Sequence, residues 1–131
     1  MFTHIKTSSQ NKETVTLLTR KFALGAENII ARVAIAYSLQ CGAKFSPLDI
    51  KDSGGKEYSK SVLFGNLYPM YAAIMCKYYL IKMNDKDLPR YFKLHLDDGL
   101  ERIMQDVKDN PNLVGFDYLF YKIQEGLKSI C

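Results

Sequence analysis

At 131 residues, 47% hydrophobic and 24% charged, the chain has the apolar content of one globular domain with a modest core, which excludes a disordered polypeptide. The longest apolar candidate, YPMYAAIMCKYYLI, is interrupted by Lys77, and the opening MFTHIKTSSQNK lacks a signal-peptide apolar region, so a soluble, cytoplasmic protein is expected. The net charge of +4 excludes little, but it is unevenly held: residues 1–66 carry nine Lys/Arg against five acids, and residues 67–131 carry nine of each, which predicts a locally positive face in the first half.

In chain order, FTHIKTS (2–8) alternates in character and ends in serines suited to capping a helix, so it reads as a short strand followed by a helix over 10–22. Val15, Leu18 and Phe22 share one face of that helix, and Lys12, Thr16, Thr19 and Arg20 share another. Gly25 breaks the chain before a second helix over 27–41. There Ile29, Val33, Ala36 and Tyr37 face one way, Ile35 and Leu39 another, and Arg32 stands among them. A helix this apolar demands cover all round.

From Gly42 to Gly65, Pro47, Asp52, Ser53 and the Gly54-Gly55 pair predict a loop-rich connection with a short extended piece near 58–64. Three helices follow: one capped by Asn66, with Pro69 in its first turn, running to about Met83; one capped by Asp87, with Phe92, Leu96, Leu100, Ile103 and Val107 on one face; and a last one carrying Phe116, Leu119, Phe120, Ile123 and Leu127. The fold class is mostly α, in a single compact domain: a ribbon-helix-helix-like part over 1–42, a loop-rich connection over 43–65 and a helical part over 66–131.

Little in the sequence calls for catalysis. Cys41, Cys76 and Cys131 are too few and too scattered for a disulfide framework or a zinc motif, and read as buried or terminal free thiols. His95, Asp97 and Asp98 lack the i, i+4 spacing of a helical metal site and read as a solvated helix face. DSGGKEYSK lacks the spacing of a phosphate loop and reads as a turn, and Tyr71, Tyr78 and Tyr79 read as packing. No enzyme activity, metal or cofactor is expected.

A strand leading through a helix and a glycine turn into a second helix is the layout of a ribbon-helix-helix unit. A lone strand leaves both backbone edges unpaired, so it is expected to pair with the same strand of a second chain, whose second helix would also supply the missing cover. Ile29, Arg32, Val33, Ala36 and Tyr37 are then the candidate oligomer interface, with Arg32 pairing an acid across it. With Thr3, Ile5 and Thr7 inward, His4 and Lys6 would face a DNA groove, and Phe2 would also point outward.

The segments IKTSSQNKETVTLLTRKFALGAENIIARVAIAYSLQ, DIKDSGGKEYSKSVLFG, DKDLPRYFKLHLDDGLE and NPNLVGFDYL resemble the DNA sulfur modification protein family DndE over almost the whole chain. The resemblance implies membership of a bacterial phosphorothioation system, in which sulfur replaces a non-bridging oxygen of the DNA backbone. The chemistry there belongs to a cysteine desulfurase and to ATP-using, iron-sulfur-dependent partners. It further implies a small accessory protein that assembles as a tetramer and binds nicked duplex DNA through lysines. Lys6, Lys12, Arg20, Lys21, Lys51, Lys56 and Lys60, basic residues within the matched segments, are the candidate phosphate contacts. The alternative is a ribbon-helix-helix transcription repressor with an appended helical domain.

Overall fold

The computed structural model describes residues 2–130. The chain opens on strand β1 (His4–Lys6) and enters helix α1 (Ser9–Phe22) through Ser8, whose hydroxyl accepts from the Asn11 N–H. Helix α2 (Glu27–Gln40) follows a turn in which Ala23 adopts the left-handed conformation and Gly25 takes φ 122°. A 3-10 turn (Pro47–Asp49) interrupts the loop that leads to strand β2 (Glu57–Ser59), and the short helix α3 (Lys60–Phe64) follows directly. A second 3-10 turn (Gly65–Leu67) precedes α4 (Tyr68–Tyr79), and the long α5 (Leu88–Asp109) and α6 (Gly115–Ile130) complete the described elements.

The expectation that β1 pairs with a second chain is corrected. β1 pairs antiparallel with β2 of its own chain, with His4 opposite Ser59, Ile5 opposite Tyr58 and Lys6 opposite Glu57. Ile5, Thr7 and Tyr58 are buried, whereas His4 and Lys6 are exposed, as the alternation predicts; Thr3 is exposed rather than inward. Phe2 turns in rather than out, its ring 5.8 Å from Tyr68 and 6.2 Å from Phe92. Gly55 allows the intervening loop to close on β1: its N–H donates to the Thr7 carbonyl at 2.9 Å, and a Cβ there would lie 2.0 Å from the Ser8 carbonyl oxygen. The anticipated extended piece stops at Ser59, because the Ser59 hydroxyl accepts from the Val62 N–H and turns 60–64 into helix.

The cover for α2 is likewise found within the chain. Ile30, Ala31, Ala34, Ile35 and Ser38 are buried, and the principal neighbour of α2 is α5. Small side chains on α2 and Gly99 on α5 let the two backbones approach so closely that a Cβ on Gly99 would fall 1.8 Å from the Ala34 carbonyl oxygen. One hydrophobic cluster joins Ile5, Val15, Leu18, Ile35, Tyr58, Leu63, Phe64, Met75, Phe92, Leu96, Ile103 and Tyr118, so both strands and all six helices of the described chain contribute to the same core.

Helix boundaries also differ from expectation. Asn66 sits inside the second 3-10 turn rather than capping a helix, and α4 ends at Tyr79, where Leu80 turns left-handed, instead of near Met83. Asp87 occupies the N-cap position of α5, but its carboxylate takes Arg90 rather than a backbone N–H. Cys41 is exposed rather than buried, Cys76 is buried, and Cys131 lies outside the described residues.

His95, Asp97 and Asp98 are not a solvated face. His95 is 0% exposed, its Nδ1 2.8 Å from the Ser38 hydroxyl and its Nε2 2.6 Å from the Tyr79 hydroxyl. Asp98 accepts from Ser38 and from Arg102, while Asp97 pairs with the buried Lys93 and accepts from Ser8 N–H and Asn11 Nδ2. Through these bonds His95, Asp97 and Asp98 tie α5 to the start of α1, to α2 and to α4. Burial pushes His95 down to about 4, with Lys44 acting in the same direction and Asp98 against it. An unfolded chain takes up this proton near pH 6.5 and the folded one does not until about 4, so this contribution is full above pH 6.5 and is lost on acidification. Stability is expected to fall by about 2 kcal/mol between pH 7 and 5, as read by urea unfolding across that range; a flat profile would contradict a neutral, buried His95.

Candidate nucleic-acid interface

α1 is fixed at its start by two carboxylates from distant parts of the chain. Asp97 accepts from the Ser8 N–H at 3.0 Å and from Asn11 Nδ2 at 2.8 Å; Asp52 accepts from the Ser9 N–H at 2.8 Å and also from Gly54. These bonds set the rotation of α1 about its axis. Asn11, Thr14, Val15, Leu18 and Phe22 face the core, and Lys12, Glu13, Thr16, Leu17, Arg20 and Lys21 face out. The outward side chains line a surface groove of about 640 Å³.

Lys12, Thr16 and Arg20 follow one another at helical i, i+4 spacing, so Lys12 and Arg20 lie about 12 Å apart along the axis, a length of duplex carrying about seven phosphate charges. Neither basic side chain has an acidic partner among the described residues. Their one acidic neighbour in the groove is Glu13. Arg20 and Lys21 also stand in the last turn of α1, where they offset the helix dipole. Lys21 is partly engaged, its ammonium donating to the Pro111 carbonyl at 2.6 Å.

The remaining candidates divide. Lys51 is exposed and adjoins Asp52, so the bond from Ser9 to Asp52 brings it to the N-terminal end of the α1 face. Lys6, Lys56 and Lys60 gather on the β1–β2 ribbon instead. Lys6 lies 4.0 Å from Glu57 directly across the ribbon, Lys56 3.9 Å from Glu27, and Lys60 sits over the Tyr68 ring at 4.5 Å. Ion pairs as open as these contribute little, so exchanging the acid for a phosphate costs little.

The proposed interface residues of α2 are partly consumed inside the chain. Among the described residues Arg32 pairs with no acid; its Nε donates to the Leu63 carbonyl at 2.6 Å, holding the end of α3 against α2. Tyr37 donates to Asp106 at 2.9 Å and accepts from Lys122 at 3.0 Å, and Tyr118 donates to the same Asp106 oxygen at 2.7 Å, so this cluster binds α6 to α2 and α5. Ile29 and Val33 are half-buried and Ala36 is exposed. The apolar residues of the last helix lie largely on its outward side: Phe116, Phe120, Ile123 and Leu127 are 52–76% exposed.

Ser38, His95 and Asp98 carry nucleophile, base and acid groups, but Asp98 bonds Ser38 rather than the imidazole, and Tyr79 occupies the other ring nitrogen. Ser38 and His95 are both 0% exposed, so the set is a buried structural network. No single helix among the described residues is long and apolar enough to cross a membrane.

The family profile for DNA sulphur modification protein DndE matches residues 4–110. The chain belongs to the DndE family. The matched span takes in β1, α1 with its basic face, the ribbon and α5, and ends before α6. Among solved structures the fold is similar to DndE from Escherichia coli B7A, a protein involved in DNA phosphorothioation modification, with a TM-score of 0.63 at 20% identity over 79% of this chain and 98% of that one. It is similar also to a glycine-to-lysine mutant of DndE involved in DNA phosphorothioation, with a TM-score of 0.65 at 22% identity and the same coverage. No curated protein sequence matches the chain.

Proposed function

We propose that this chain is a non-catalytic, DNA-binding accessory of the DNA phosphorothioation machinery, acting in the cytoplasm as a homo-oligomer and binding duplex DNA, with a preference for a nick, through the lysine- and arginine-bearing face of α1 and the adjoining Lys51. DndE membership supports the machinery. The observation that carries the DNA contact is the pair Lys12 and Arg20, aligned on the outer face of a rigidly anchored helix with no acid of their own. Phosphate contacts of this kind position a protein on the duplex without reading sequence.

The geometry of the ribbon disfavours the repressor reading. β1 already has a partner along one edge, and Glu57 stands beside Lys6 on the side that would enter a groove, placing a carboxylate against the phosphate-rich walls. His4 and Lys6 alone are too few for a base code. A nick is favoured because bending a duplex there avoids the several kcal/mol that an intact helix demands.

The test is a competition titration of nicked against intact duplexes, in one sequence and its scrambled counterpart, at two salt concentrations. Sealing the nick is expected to weaken binding several-fold, scrambling to change it little, and added salt to weaken all binding steeply. Loss of affinity on scrambling, with no effect of the nick, establishes the repressor instead.

A further inference from the structure

We infer that α6 is a self-association element, pairing antiparallel with the α6 of a second copy of this chain through Phe116, Phe120, Ile123 and Leu127. The inner side of the helix is already committed. Tyr118 is buried and bonded to Asp106, Gly115 packs on the Phe22 backbone, and Lys122 reaches Asp106 and Tyr37. The outer side carries an apolar stripe that no described residue covers: Phe116 is 76% exposed, Phe120 62%, Ile123 61% and Leu127 52%. Successive members are four, three and four residues apart, an average of about 3.7 that is close to the 3.6-residue helical period, so the four lie on one narrow arc.

Three features select a second copy as the occupant. The stripe is symmetric about the point between Tyr121 and Lys122, so that antiparallel pairing sets Phe116 against the partner's Leu127 and Phe120 against the partner's Ile123. An isologous contact about a twofold axis needs this self-complementarity. The charges follow the same axis. Asp117 at one end and Lys128 at the other flank the stripe on the same side, and antiparallel pairing brings Asp117 beside the partner's Lys128, whereas parallel pairing stacks like on like. The exposed area also fits: the four side chains offer roughly 500 Å² of apolar surface, more than an isolated soluble protein ordinarily leaves bare, and two such faces together approach the roughly 1,000 Å² at which specific interfaces begin. α6 starts after the family-matched span ends, so this seam is an addition to the DndE core.

The inference deepens the homo-oligomer part of the proposed function by naming a surface, and its test separates the two. Light scattering on the full chain at about 100 μM, within the range where weak dimers populate, is expected to give at least twice the 15.0 kDa chain mass. The variant Phe120→Glu/Ile123→Glu, which sets acid against acid across the seam, is expected to halve the assembly mass with an unchanged far-UV circular dichroism spectrum. Phe120→Glu/Ile123→Lys is expected to restore much of it, because the antiparallel register places each new acid opposite a new base. A wild-type monomer overturns both the seam and the oligomer. An assembly mass untouched by the first variant overturns the seam alone, and equal dissociation by both variants overturns the antiparallel register.

Discussion

Replacing Lys12, Arg20 and Lys51 together by glutamate is expected to lower affinity for duplex DNA on the order of 100-fold at low salt while leaving the fold intact. Each lost phosphate contact removes about 0.9 from the slope of log affinity against log salt, so the alanine version of the triple variant should flatten that slope by close to 3. The fold should be unaffected because all three side chains are exposed and none has an ionic partner among the described residues to lose. The control is reversal of Lys82, Lys86 and Lys108, which are also exposed and change the net charge by the same amount. Lys122 is excluded from that control because it bonds Asp106 and Tyr37, so altering it would disturb the attachment of α6. Equal losses from the two sets, measured by fluorescence anisotropy, would mean that total charge governs binding and that the α1 face has no special part in it.

That face was legible because it is local. Helical spacing alone separates Lys12, Thr16 and Arg20 from Val15, Leu18 and Phe22, and the serines at 8 and 9 mark where the helix begins. What the sequence concealed lies in contacts between distant residues. β2 is three residues long and pairs with β1 across some fifty residues of chain, so β1 looked like a strand in need of another molecule. Asp97 and Asp98 read by spacing as a solvated face, yet their partners include Ser8, Asn11 and Ser38, 60 or more residues away. Arg32, whose apolar neighbours predict an acid across a subunit contact, is met within the chain by a carbonyl at the end of α3 that no spacing marks. On α6 the sequence pattern leaves the role of the apolar residues open. The 3-4 spacing of its apolar residues is the same for a core face and for a seam, and only the position of the rest of the chain, bonded to Tyr118 and Lys122 on the opposite side, tells them apart.

The second large effect is expected at Gly99. Replacing it by alanine should destabilise the fold by about 3 kcal/mol, and by valine enough to abolish a native state whose whole stability is about 5–15 kcal/mol. In an ordinary helix interior, glycine to alanine is stabilising by about 0.8–1 kcal/mol, because alanine has less backbone freedom to lose on folding. Gly126 in α6 supplies that comparison within the same protein: a Cβ there approaches only the end of the Gln40 side chain, at 3.1 Å, which can swing aside. At Gly99 the obstacle is the Ala34 backbone, with carbonyl oxygen at 1.8 Å, carbonyl carbon at 2.3 Å and Cα at 2.7 Å. Relief requires α2 and α5 to separate. Separation would open the buried face formed by Ala31, Ala34, Ile35 and Ser38 and pull Ser38 away from His95 and Asp98. Urea unfolding of the two alanine variants should therefore shift the midpoint in opposite directions, down for Gly99→Ala and up for Gly126→Ala. If both moved up, the close packing of α2 on α5 would be refuted, and with it the explanation of how a helix so apolar finds its cover inside a single chain.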